Sequence, residues 1–181
     1  LGLAGLAALT VLGGVVAQAA AAELPARPVP TAAQPAATRL APNPVSSRSV
    51  RTYIENMLEN NRLQGETLNT YEKSFRNNWN TLVHIERRIL THPESLNDPT
   101  VRAVYERVQA ALDTAQVFQD VEESVIYQAG YSSIELGDGT RMTIPRLPVD
   151  RTIRVRGDYS GAARMTDHTL ESLRSLVQPR R

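Results

Sequence analysis

The sequence contains no cysteine. That excludes disulfides, thiolate metal sites, a lipoprotein anchor and a cysteine nucleophile. An oxidising compartment is thereby permitted rather than required. Lysine is nearly missing too: of twenty basic residues only Lys73 is one. With the abundant alanine, this composition fits GC-rich codon usage better than selection for arginine's planar grip on phosphate. Aromatics are sparse and do not alternate with basic residues, so stacked bases have no platform. With a net charge of only +1, no nucleic-acid partner is expected.

Constellations that carry chemistry are equally scarce. His84, His92 and His168 are the only histidines, each on a different expected element, and none has metal-ligand spacing to another. His168 has Asp167, Thr166 and Ser160 nearby in sequence, but no nucleophile elbow accompanies them. Asp120, Glu122 and Glu123 lack the irregular backbone and glycine turn of a calcium loop. Gly137-x-Gly139 lacks the third glycine and following helix of a phosphate loop. Arg156-Gly157-Asp158 spells an adhesion tripeptide, better explained as turn chemistry. The expectation is a protein that is not an enzyme, with no catalytic residue, cofactor or metal.

What is present begins with an apolar run. Leu1 to Ala22 is small, hydrophobic and uncharged, and it contains the small-x-small pattern Ala17-Gln18-Ala19. A basic leader and initiator Met are missing, so the chain is expected to begin inside a precursor. Two readings stay open: a signal peptide cut after Ala19 or Ala22, or a retained membrane anchor long enough to span the bilayer. Both place the remainder outside the cytoplasm, in a periplasm or equivalent space.

Residues 23–49 read as a disordered linker. Pro25, Pro28, Pro30, Pro35, Pro42 and Pro44 remove backbone donors and extend their neighbours. Alanine, threonine and serine fill the gaps without apolar mass to pack.

Residues 50–130 read as a long antiparallel helical hairpin. Ile54, Asn61, Leu68, Phe75, Leu82 and Ile89 fall seven apart, with Ser47 and Ser49 as candidate N-caps. The first helix is either continuous to Leu90 or broken near Gly65. Thr91-His92-Pro93 stops it, and Asp98-Pro99 starts the second as N-cap and first helical residue. Val104, Ala111, Phe118 and Val125 form a second seven-residue row, ended by Gly130. Asn61 on the seam is a candidate register-setting polar residue. Two helices cannot bury both stripes, so a third helix or another chain is required. The expected partner-binding seam is Ile54, Leu68, Phe75, Leu82, Ile89, Val104, Phe118 and Val125.

After Gly130 the period changes to two. Ile134-Glu135-Leu136 and Met142-Thr143-Ile144 flank Asp138-Gly139, which reads as a β-hairpin. Thr152 to Arg156 reads as one more short strand. Ser160 is a candidate cap for a last helix, Ala162 to Val177. The fold class expected is mainly α: a three-helix arrangement with a small β-hairpin insertion before its last member. Residues 140–181 hold nine arginines against four acids, while 50–130 hold eight basic and twelve acidic residues. That polarity nominates Arg151, Arg154 and Arg156 as an anion-binding set.

Export followed by a helical hairpin resembles, in organisation, the minor pilin-type subunits of bacterial type IV secretion and conjugation machines. The resemblance rests on Val50 to Gly130, including Phe118-Gln119-Asp120-Val121. The proline linker and the arginine-rich strands lie outside that pattern. The functional expectation is an exported structural or interaction subunit of a cell-envelope assembly that acts by helix–helix association. Its partners would be other protein subunits or its own copies, near a membrane through the first segment. The alternatives are a module holding an anionic lipid or polymer, and a pilin-like secretion component.

Overall fold

A computed structural model describes residues 36–115, 117–118, 121–127, 131–146, 149–157 and 159–178, with 121–127 and 149–150 described by their backbone. Residues 1–35, with the expected export segment and the first part of the expected linker, lie outside the described residues. So do Gln119, Asp120, Gly130 and Asp158, and with them the full adhesion tripeptide.

In chain order the elements are β1 (Thr38–Arg39), α1 (Pro44–Gly65), α2 (Tyr71–Thr91), a 3-10 turn (Pro93–Asn97) and α3 (Pro99–Ala115). β2 (Val121–Tyr127), β3 (Tyr131–Glu135), β4 (Arg141–Pro145), β5 (Val149–Val155) and α4 (Ser160–Val177) follow. The molecule is mainly helical, with four α-helices among the described residues and a small strand region before the last of them.

Each helix has a local reason to start where it does. Asn43 accepts from the backbone N–H of Ser46 at 3.1 Å, and Pro44 fills the first helical position, where no donor is needed. The domain thus begins several residues before Val50, and the expected linker ends earlier than Ser49. Ser47 is buried one turn inside α1 and does not cap it. Of the two readings of residues 50–90, the structure shows the broken one. Gly65 ends α1, a turn follows, and Thr70 caps α2 by accepting from Lys73 N–H at 3.3 Å. Asp98 caps α3 as expected, accepting from Thr100 N–H at 2.8 Å. At α4 the capping position is Tyr159, with no side-chain cap, and Ser160 is already helical.

The hairpin expected to reach Gly130 is corrected at its far end. α3 stops at Ala115, and Val121–Tyr127 is a strand paired antiparallel with β5, from Val121 opposite Val155 to Tyr127 opposite Val149. A seven-residue spacing keeps one face on a helix but alternates faces on a strand. The row Val104–Ala111–Phe118–Val125 is therefore no row beyond Ala115. Val121, Val125, Ile126 and Tyr127 have strong strand preference, and pairing with β5 decides the matter.

The β-hairpin is where the sequence places it. Ile134 lies opposite Met142, and Asp138 Oδ1 accepts from Thr140 N–H at 2.8 Å across the turn. Gly139 takes a φ of 84°, a conformation that costs a side-chain-free residue little. β1 adds to this hairpin in parallel, Thr38 beside Ile134 and Arg39 beside Glu135, giving the order β1-β3-β4.

The core lies among the four helices. α2 packs on α1, α3 and α4. Arg88 reaches Ser49 while Asn61 reaches Asn78, so α1 and α2 run antiparallel. Val50, Ile54, Phe75, Leu82, Ile85, Ile89, Val104, Leu112 and Leu173 are fully buried there, and Leu96, Leu136 and Ile144 close it from the turn and sheet. The expected third helix is present, but the break at Gly65 makes the bundle four.

Candidate functional site

Five of the eight residues expected to meet a partner are placed inside the chain's own core. Ile54, Phe75, Leu82, Ile89 and Val104 have no exposure. Leu68 is half-buried in the turn between α1 and α2. Phe118 is half-buried against α4, where a Cβ on Gly161 would approach its ring to 3.0 Å. Val125 lies on β2, and its side chain is outside the described ones. The seam is thus filled by α1–α4 themselves, because the fourth helix supplies the cover that two helices lack.

The expected anion-binding trio is split in the same way. Alternation on β5 turns Arg151 inward and leaves Arg154 exposed, as is Arg156 just beyond the strand. Arg151 Nη2 donates to Glu86 Oε1 at 2.8 Å, and Nε lies 2.7 Å from Oε2, an ion contact without good hydrogen-bond alignment. Gln109 Nε2 adds a donor to Glu86 Oε1 at 2.5 Å. The Glu86 and Arg151 side chains are 1% and 3% exposed. A guanidinium this occupied is closed to an outside anion, so Arg154 and Arg156 are what remains of the set.

Glu86 is absent from the sequence reading, although a signal exists. Phe75, Trp79, Leu82, Glu86 and Ile89 follow a four-three-four-three spacing, the seam of α2, with a carboxylate where a hydrophobe belongs. Asn78 is a second such position, between Phe75 and Leu82. It forms the centre of an amide junction among α1, α2 and α4. Asn61 Nδ2 donates to Asn78 Oδ1 at 3.0 Å and to Thr81 Oγ1 at 3.2 Å. Asn78 Nδ2 donates to Thr166 Oγ1 at 3.1 Å and to Asp167 Oδ1 at 2.6 Å. Arg174 Nη2 donates to Asn61 Oδ1 at 2.9 Å. Asn61, the seam polar residue of the sequence, is therefore buried and bonded on both ends of its amide.

The surface offers two concave regions of note. A cleft of about 970 Å³ opens where the first turns of α1 and α3 meet the 3-10 turn. Its charges balance, Arg48 and Arg51 against Glu55 and Asp98, with Arg51 Nη1 3.8 Å from Asp98 Oδ2. A pair this exposed holds little energy. Near it, burial alone would raise the Glu94 carboxyl, but the Ser46 hydroxyl at 2.6 Å, its own backbone N–H and His92 together hold it low. The second region is a trough beside β3 and β4, lined by Ala36, Ala37, Tyr131, Ser132, Ser133, Arg141 and Thr143.

The remaining candidates stay apart. His84 and His168 are exposed on different helices, and His92 is half-buried beside Glu94. Among the described residues no three acidic or histidine side chains gather into a metal-binding group. Asp138 is held down to about 2, first by the Thr140 N–H, then by the Thr140 hydroxyl and Arg102. It is a turn residue, as its sequence context implies. No family model, curated protein or solved structure matches the chain.

Proposed function

We propose that the chain is an exported, non-enzymatic interaction subunit of a cell envelope, a preformed helical domain carried on a proline-rich spacer. The observation that carries this reading is the order of parts. A 22-residue apolar segment of export type and a proline-punctuated stretch precede a domain whose own four helices fill its seam. Such a domain offers partners a surface that needs little ordering on contact. Association then uses the outer strands, clefts and polar helix faces, rather than the row from Ile54 to Val104. No helix among the described residues is long and apolar enough to cross a membrane. The apolar first segment is the part of the sequence with the length to anchor in a membrane. The likeness to minor pilins rests on a helical hairpin of which α1–α3 cover Pro44 to Ala115, with Val121–Tyr127 a strand instead.

The test has two arms. Protease added outside intact cells whose outer barrier has been opened should degrade the tagged chain, and cytosolic retention would sink the reading. Photo-crosslinkers at Arg48 and Arg154 should capture envelope proteins from the native membrane, whereas one at Leu82 should capture none. Adducts from Leu82 alone would restore association through the helix seam.

A further inference from the structure

We draw no further inference here: the strongest candidate, the start of α4 at Tyr159 and Ser160 with the exposed guanidiniums of Arg76 and Arg164 beside it, is a helix N-terminus whose arginines are already engaged by Glu72 and Ser160, and nothing else in the structure points to a ligand there.

Discussion

The junction at Glu86 and the junction at Asn61 both occupy helix positions that ask for a hydrophobe, yet they are built from opposite chemistry. The first is ionic. Glu86, Gln109 and Arg151 join α2 and α3 to a strand that arrives from outside the bundle. The second is neutral at its centre. Asn61, Asn78, Thr81 and Thr166 join three helices to one another, and charge enters only at its rim through Asp167 and Arg174. An amide that loses its partner costs the desolvation of a dipole. A carboxylate that loses its partner costs that of a full charge. The ionic junction is therefore the more conditional of the two: it stabilises only with all members in place.

The sharpest way to break that comparison is to remove one charge. Arg151→Met leaves the Glu86 charge buried with only the Gln109 amide to answer it, and should cost about 3–5 kcal/mol in urea unfolding. Pairing it with Glu86→Leu should return most of the loss, since an apolar pair of similar volume needs no compensation. A double variant as unstable as the single one would show that the pair has another role. At the amide junction, Asn78→Ala should cost about 1–3 kcal/mol by taking one acceptor from the Asn61 amide and the amide donor from Thr166 and Asp167. A loss equal to that of Arg151→Met would erase the distinction between the two sites. Arg154→Gln, on the outward face of the same strand as Arg151, should move stability by no more than about 0.5 kcal/mol.

The smallest effect lies at the β-turn and separates an exposed charge from a buried one. The Asp138 carboxyl is held at about 2 against an ordinary 3.8, so its stabilising share is complete above 3.8 and vanishes as pH falls toward 2. Asp138→Asn should flatten the acid limb of the stability curve in that window and leave neutral pH nearly unchanged. An effect at neutral pH as large as that in acid would show that the turn, not the charge, is what the substitution disturbs.

The elements that depend on neighbours in sequence were readable from it. Asp98-Pro99 announces a helix start, Asp138-Gly139 a hairpin, and the last helix has its apolar face in period. Asn43-Pro44 carries the same kind of signal as Asp98-Pro99, but it is hidden among prolines that read as linker. What could not be read depends on distant residues. Val121–Tyr127 is a strand because residues of a strand well downstream, Val149–Val155, pair with it, and nothing within the segment weighs that pairing against a seven-residue spacing. The burial of Arg151 is settled by Glu86, 65 residues upstream, so an arginine that looked free to bind is already engaged. The alternation of β3 and β4 could be drawn from the sequence, but the trough beside them also needs Ala36 and Ala37, which read as linker.

That separation of 65 residues also ties the dryness of the interior to a distant strand. A carboxylate at Glu86 without a guanidinium beside it would hold on to water, so the space between α2 and α3 can be dry only with β5 in place.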